Sequence, residues 1–174
     1  MQTFSLTNKD FFFRLQSGFT LIELLAVISI LMVLSVLSIA SFSSYATSQK
    51  LSTAALDIKN TLQYAKAEAG NQLTTCSSGQ QFLGYKVLAC CQGNGCPTCL
   101  STKDYEVDIV CSGGTSLDNG KDLPQGISFD TSHSTSFSFL FNPLSGSVTG
   151  AGTLVVQQGN STKNILISAT GVIQ

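Results

Sequence analysis

Charged residues are scarce in this sequence. Lys, Arg, Asp and Glu make up 11% of its 174 residues, less than half of the share of about 25% in an ordinary soluble domain. Hydrophobic residues make up 43%, so the chain lacks the low hydrophobicity and high net charge of a disordered protein. Nine basic residues stand against ten acidic ones. This balance argues against a nucleic-acid binder that relies on bulk positive charge.

Histidine is nearly absent as well, since His133 is the single copy. It stands among serines and threonines, but a Ser-His-Asp triad also needs an orienting acid and a nucleophilic serine flanked by glycines. Neither is recognisable in the sequence. We therefore predict that His133 is a solvated loop residue and that the chain is not a hydrolase of this type.

The hydrophobic residues are concentrated in one run. Residues 19–42 contain 18 hydrophobic side chains, a single charge at Glu23, and no Gly or Pro. At about 1.5 Å per residue, a helix of this length spans roughly 36 Å, which exceeds a bilayer core of about 30 Å. A secretory signal has a shorter apolar region followed by a small-residue cleavage site. The run therefore predicts a membrane helix.

A short leader, residues 1–18, precedes this run and carries Lys9, Asp10 and Arg14. Together with the amino terminus it has a net positive charge, so the positive-inside rule keeps it in the cytoplasm. The expectation is a single-pass protein of the inner (cytoplasmic) membrane, with residues 43 onward in the periplasm or outside the cell.

Glu23 is the anomaly in the run, because a carboxylate inside a membrane helix costs about 2.5–3.5 kcal/mol even on lenient scales. The residues around it, GFTLIELL at positions 18–25, resemble the signal of type IV prepilins and pseudopilins. The resemblance implies that a prepilin peptidase and methyltransferase cleaves between Gly18 and Phe19 and methylates the new Phe19 amine. It also implies that Glu23 acts in filament assembly, by neutralising this amine on a neighbouring subunit. The alternative is an ordinary signal anchor.

The helix is expected to continue beyond the membrane, because no Gly or Pro interrupts residues 19–69. Over residues 43–70, apolar or small side chains recur at alternating spacings of four and three, which is a one-sided helical stripe. Gly70 is a natural stop signal. The stripe consists of Leu51, Ala55, Ile58, Leu62, Ala65 and Ala69.

Residues 71–174 are predicted to form a β-rich head. Strand patterns occur at residues 81–91, 104–111, 136–141, 152–157 and 163–168. Their close spacing predicts an antiparallel sheet with one face on the helical stripe. The fold class is therefore α+β, a long amino-terminal helix packed on a small sheet.

The strand at residues 104–111 alternates between two kinds of side chain. Tyr105, Val107 and Ile109 fall on one face, and Asp104, Glu106 and Asp108 fall on the other. We predict that the acidic side chains form an exposed face. A Ca²⁺ site built from their oxygens is the alternative.

Two further segments, LQYAKAEA at residues 62–69 and LISATGV at 166–172, resemble the helix and closing strands of GspH/FimT-type minor pilins and pseudopilins. The resemblance implies a structural subunit of a type II secretion pseudopilus or a type IV pilus. Its partners would be other pilin subunits and an inner-membrane assembly platform. DNA-binding members tend to carry Arg after the tail glycine, whereas residues 172–174 are uncharged here, so nucleic-acid binding is not expected. The alternative is a membrane-anchored binding module for DNA uptake or adhesion that does not polymerise.

Six cysteines fall within residues 76–111, which we call the cysteine-rich segment. In an oxidising compartment this pattern predicts a disulfide-bonded loop, although six cysteines allow fifteen pairings. Two alternatives involve the C-x-x-C at residues 96–99: a redox pair of a thiol oxidoreductase, or a zinc site of four thiolates. We expect neither cofactor nor metal. The cysteines are Cys76, Cys90, Cys91, Cys96, Cys99 and Cys111.

Overall fold

The computed structural model describes residues 20–71, 76–91 and 96–174, without the side chains of residues 36–43. By its internal contacts the chain divides into two units, residues 1–42 and residues 43–174. The predicted leader, with Gly18, and the residue Phe19 after it lie outside the described residues.

Helix α1 (Leu21–Asn71) is one continuous helix of 51 residues. It ends at Asn71, one residue after Gly70, where the sequence predicts a stop. Serine hydroxyls in its apolar part bond back to the helix, for example Ser29 Oγ to the Leu25 carbonyl and Ser35 Oγ to the Leu31 carbonyl, each at 2.7 Å. These bonds satisfy the polar side chains without a partner outside the helix.

Within the residues that the structure describes, no helix carries an apolar stretch long enough to cross a membrane. Phe19 and the side chains of residues 36–42 are not part of that description. The membrane helix over residues 19–42 therefore stays a prediction.

The described residues contain eight strands in two antiparallel sheets. The five-stranded sheet has the order β3-β2-β1-β5-β6, and the three-stranded sheet has the order β4-β7-β8. The strands are β1 (Phe82–Ala89), β2 (Tyr105–Cys111), β3 (Gly114–Lys121), β4 (Ser128–Phe129), β5 (Ser138–Phe141), β6 (Val148–Thr149), β7 (Gly152–Gln158) and β8 (Ser161–Ile167).

The α+β class is confirmed, with two differences in the strands. The sequence predicts one sheet, whereas the head has two. Strand β3 was not predicted, because GTSLDNGK is polar and rich in turn formers, and it exists through its pairing with β2. Strands β7 and β8 extend the predicted strands at residues 152–157 and 163–168 towards each other. Gln158 pairs directly with Ser161, so the turn between them has two residues, and Gly159 supplies the positive φ of 58° that it requires.

The predicted helical stripe forms the centre of the core. All six of its residues, from Leu51 to Ala69, are buried. They pack in one cluster with side chains of both sheets. The five-stranded sheet contributes Tyr85, Val87, Tyr105, Val107, Phe139 and Phe141, and the three-stranded sheet contributes Phe129, Leu154, Val156, Ile165 and Ile167.

Polar contacts on two sides of this stripe fix the position of the helix. Asp57 of α1 accepts a short hydrogen bond from the Tyr105 hydroxyl of β2 and pairs with Lys121 of β3 at 3.2 Å. The Tyr105 bond lowers the pKa of Asp57, and Lys121 lowers it further. Burial, with the Asp57 bond, raises the pKa of Tyr105. On the other side, Lys66 Nζ donates to the Gly171 carbonyl at 2.8 Å.

The prediction of an exposed acidic face on β2 is wrong, because Glu106 and Asp108 are completely buried. Leu88 of β1 lies beside Glu106 and is itself buried. Leu100 and Ser101 of the cysteine-rich segment donate hydrogen bonds to the Glu106 carboxylate. The cysteine-rich segment therefore covers Glu106 on the face of the sheet that points away from α1. The alternation of side chains along β2 separates two faces but does not show that both are covered.

Two leucines of α1 provide a test of the stripe. Leu62 is 0% exposed and Leu56 is 58% exposed. We expect Leu62→Ala to lower the free energy of unfolding by about 2–5 kcal/mol, because it opens a cavity in the core. Leu56→Ala is the control and should change it by no more than about 0.5 kcal/mol. Denaturant unfolding of the purified chain, followed by tyrosine fluorescence, measures both. Equal losses in the two variants would contradict the assigned core.

Candidate functional site

The candidate assembly site begins at the first turn of α1, where Thr20 is the helix cap. The Glu23 backbone N–H donates to Thr20 Oγ1 at 3.3 Å, and the Leu24 N–H donates to the Thr20 carbonyl at 3.1 Å. Thr20 and Glu23 are thus spaced as in a capping box, T-x-x-E. The T-x-x-E spacing is present in the sequence, but the sequence analysis considers Glu23 only as a charge in the membrane and as an assembly residue.

The cap uses the backbone N–H of Glu23 and leaves its carboxylate to be considered separately. A carboxylate in the first turn is favoured by the helix dipole, so the position suits the helix. The Glu23 carboxylate nevertheless has no hydrogen-bond or ion-pair partner among the described residues.

The turns that follow expose their apolar side chains on every face of the helix. Eleven large apolar residues between Leu21 and Leu34 are 40–78% exposed. A continuous apolar surface of this kind marks a protein or membrane contact in soluble and membrane proteins alike. Residues 21–34 therefore combine an exposed apolar surface with one carboxylate, Glu23, near its start.

Residues 13–39 match the family model of the prokaryotic N-terminal methylation motif. The chain carries the amino-terminal signal of type IV pilins and pseudopilins. No curated protein and no solved structure matches the chain. The match supports the pilin and pseudopilin family as a whole, and it indicates a membrane-anchored structural subunit before processing. The matched residues include Gly18, Phe19 and Glu23, the three residues that the sequence analysis assigns to cleavage, methylation and assembly. Of these three, the structure describes only Glu23.

The cysteine-rich segment of this pilin-like chain contains three disulfides. They join Cys76 to Cys111, Cys90 to Cys99, and Cys91 to Cys96, and no cysteine is free. The two cysteines of the C-x-x-C motif are bonded to Cys90 and Cys91 and not to each other. The structure therefore lacks the bond on which the redox alternative depends, and the thiolates on which the zinc alternative depends are all used.

Two of these disulfides are nested and close one small loop. Cys90 and Cys91 follow β1, and both bond to residues 96–99. Each closed loop of this kind contributes about 2–4 kcal/mol of stability. The outer bond holds Leu100 and Ser101 beside Glu106.

Glu106 of β2 fixes the end of this loop through hydrogen bonds. Its carboxylate accepts hydrogen bonds from the Leu100 N–H at 2.6 Å and from the Ser101 N–H and hydroxyl at 2.8 and 2.7 Å. Carboxylate and sulfur atoms of Glu106, Cys90 and Cys99 lie within 4.8 Å of one another. The two sulfurs are bonded to each other and the carboxylate has three donors, so this group supports the loop and has no ligand atoms to spare for a metal.

Asp108 is the unusual acid, because neither of its buried oxygens has a hydrogen-bond partner. The nearest cation is Lys86 Nζ, 3.7 Å from Oδ2. Burial and the nearby Glu106 carboxylate raise the pKa of Asp108 to about 6, and Lys86 opposes part of this effect. A buried carboxylate without donors is more stable in its protonated form.

His133 lies in an exposed loop, as the sequence predicts. The orienting acid that was not recognised in the sequence is Asp130, whose Oδ2 lies 2.7 Å from His133 Nδ1. The His133 contact lowers the pKa of Asp130, with help from the backbone N–H groups of Ser132 and His133. These contacts join residues of one short loop. Among the described residues, no serine hydroxyl is hydrogen-bonded to the imidazole.

The pKa of Asp108 predicts a pH dependence of stability. Its folded value of about 6 lies above the ordinary value of 3.8, so the native state binds more protons between these values. The free energy of unfolding should therefore fall as pH rises from about 4 to about 6, and level off above that range. Asp108→Asn should remove this decrease and be more stable than wild type at pH 7. Denaturant titrations at several pH values measure it.

The matched control is Asp122→Asn, because Asp122 is an exposed acid paired with Lys103. This variant should keep the decrease. If Asp108→Asn is less stable than wild type at pH 7, the ion pair with Lys86 outweighs the burial of the charge and the account is wrong.

Proposed function

We propose that this chain is a structural subunit of a pilin-like filament, a minor pilin or pseudopilin of the GspH/FimT kind. The observation that carries the proposal is the methylation motif at residues 13–39, together with the apolar helix surface and the unpartnered Glu23 that follow it. The filament is a type II secretion pseudopilus or a type IV pilus.

In this proposal the chain has four parts. Residues 1–18 are a cleaved leader, and residues 19–42 form the membrane anchor and later the filament core. Residues 43–70 carry the head on the buried stripe, and residues 71–174 form the head outside the cytoplasm. The three disulfides support this topology, because such bonds form and persist in oxidising compartments.

Assembly depends on a charge pair that cleavage creates. A prepilin peptidase cuts after Gly18, and the new Phe19 amine is methylated and stays positive. Buried alone in a filament core, the Glu23 carboxylate and this amine would each pay a desolvation penalty. Pairing across two subunits offsets the penalty and fixes the axial register. The Thr20 cap holds Glu23 in the first helical turn, and in this proposal its carboxylate binds the Phe19 amine of a neighbouring subunit.

The GspH/FimT assignment has support from the head. Lys66 lies in the LQYAKAEA segment and donates to the carbonyl of Gly171 in the tail segment. A Cβ at Gly171 would collide with the Gly146 carbonyl, in the turn after β5. The segments that resemble this branch therefore meet at one place and lock the carboxyl-terminal tail onto α1.

The test replaces Glu23 by Ala in the full chain in its native host. Glu23→Ala should leave membrane insertion intact but remove the chain from sheared filaments, because the Phe19 amine loses its partner. Ser35→Ala is the control on the same helix and should assemble like wild type. Immunoblots of the filament and membrane fractions measure the ratio. Normal incorporation of Glu23→Ala would favour the alternative, an anchored binding module that does not polymerise.

A further inference from the structure

The two nested disulfides could have formed between other partners at almost the same cost in chain entropy. The observed bonds, Cys90 to Cys99 and Cys91 to Cys96, have sequence separations of 9 and 5 residues. The exchanged set, Cys90 to Cys96 and Cys91 to Cys99, would have separations of six and eight residues. Because loop-closure entropy grows only with the logarithm of loop length, the statistical weights of the two sets differ by roughly a tenth. The observed set therefore depends on a contact in the fold.

The two adjacent cysteines point to opposite sides of the five-stranded sheet. The Cys90 N–H donates to the Asp104 carbonyl at 2.7 Å, so the pairing of β1 with β2 continues beyond Ala89, and successive residues of a strand face opposite sides. Cys91 packs against the core cluster. The Cys90 sulfur lies within 4.8 Å of a carboxylate oxygen of Glu106, on the side away from α1. A cysteine that bonds to Cys90 therefore has to lie on the Glu106 side.

Glu106 holds the far end of the loop on that same side. Its carboxylate accepts hydrogen bonds from the Leu100 N–H at 2.6 Å and from the Ser101 N–H and hydroxyl at 2.8 and 2.7 Å. These two residues directly follow Cys99, and Glu106 is 0% exposed, so water does not compete for the bonds. A hydrogen bond to a charged group shifts an equilibrium by roughly tenfold or more. The three bonds place Cys99 beside Cys90.

We infer that Glu106 is a positioning residue that selects the disulfide partners of this loop during oxidation. Its hydrogen bonds hold the Cys99 thiol beside the Cys90 thiol. Cys96 is then left for Cys91 on the core side. In the exchanged set Cys99 would have to bond on the core side, which would leave the buried Glu106 carboxylate without its donors. The inference goes beyond the filament function and does not depend on it.

The oxidation itself needs only a disulfide oxidant, such as oxidised glutathione. A cysteine thiolate attacks one sulfur of the oxidant, which forms a mixed disulfide and releases the first thiol of the oxidant. A second cysteine attacks the first cysteine's sulfur, which closes the protein disulfide and releases the second thiol. Two protons and two electrons pass from the cysteine pair to the oxidant. Glu106 takes no proton in either step, and it determines which thiol lies near the mixed disulfide at the second attack.

A chain with one cysteine fewer turns the selection into a choice between two partners. In Cys96→Ser, Cys99 can bond to Cys90 or to Cys91, and the other of the two stays free. The full chain is purified in mild detergent, reduced, and reoxidised with a mixture of reduced and oxidised glutathione. One alkylating label then marks the free thiol, and a second label of different mass marks the bonded cysteines after reduction. Tandem mass spectrometry gives the ratio of free Cys91 to free Cys90.

In the Cys96→Ser chain with Glu106 in place, free Cys91 should exceed free Cys90 roughly tenfold or more, because the other bond breaks the contacts of the carboxylate. Adding Glu106→Ala should bring the ratio to about one, since separations of nine and eight residues close with nearly equal entropy. Glu106→Gln keeps one acceptor oxygen and should give an intermediate ratio. A ratio that stays roughly tenfold or higher with Glu106→Ala would overturn the inference.

Two control variants separate this selection from the general stability of the head. Leu62→Ala opens a cavity in the core and leaves the contacts of the loop intact. Asp108→Asn changes the other buried acid on the same side of β2. Both should keep the ratio of the Cys96→Ser chain. If Leu62→Ala lowers the ratio as far as Glu106→Ala does, any destabilised head loses the selection and the inference is overturned.

Ser101→Ala keeps the inference testable if the chains with a substituted Glu106 do not fold. It removes the hydroxyl donor and leaves the two backbone donors, so the carboxylate stays paired. The ratio should fall roughly threefold to tenfold, and in that case an unchanged ratio would overturn the inference. Glu23→Ala, which tests filament assembly, should leave the ratio as it is, so the filament function and this selection can fail separately.

Discussion

The burial of one helical stripe, from Leu51 to Ala69, is the contact on which the rest of the structure depends. The two sheets of the head share no strand pairing among the described residues, and their core side chains meet in one cluster with this stripe. Apolar burial supplies the stabilisation but is non-directional. The bonds of Asp57 to Tyr105 and Lys121, and of Lys66 to Gly171, fix the helix in one position.

The features predicted from the sequence are those with a long regular period. The helix and its stripe repeat over many residues, and the structure confirms them. The burial of Glu106 and Asp108 could not be predicted, because alternation separates two faces of a strand without showing what covers each. Strand β3 lacks strand formers and is held by its neighbour. The three disulfide pairs could not be predicted, because six cysteines allow fifteen pairings and the sequence does not show which cysteines lie close together in the fold. The capping box at Thr20 was predictable, because its spacing is local.

Most of the few charged residues in the head make contacts within the fold. Of the seven lysines in the described residues, four hold internal contacts that orient α1, the tail or the sheet. The acids Asp57, Glu106 and Asp130 serve in the same way, as acceptors for groups of neighbouring elements. Among the described residues, Lys50, Lys59 and Lys163 have no such contact.

The central claim is that residues 13–39 are a working pilin signal, and the mature amino terminus tests it most directly. Mass spectrometry of the full chain, expressed together with a prepilin peptidase, identifies that terminus. The account predicts a chain that begins at Phe19 with one added methyl group on its amine. A membrane-localised chain that still begins at Met1, in cells where a known prepilin is processed, would contradict it.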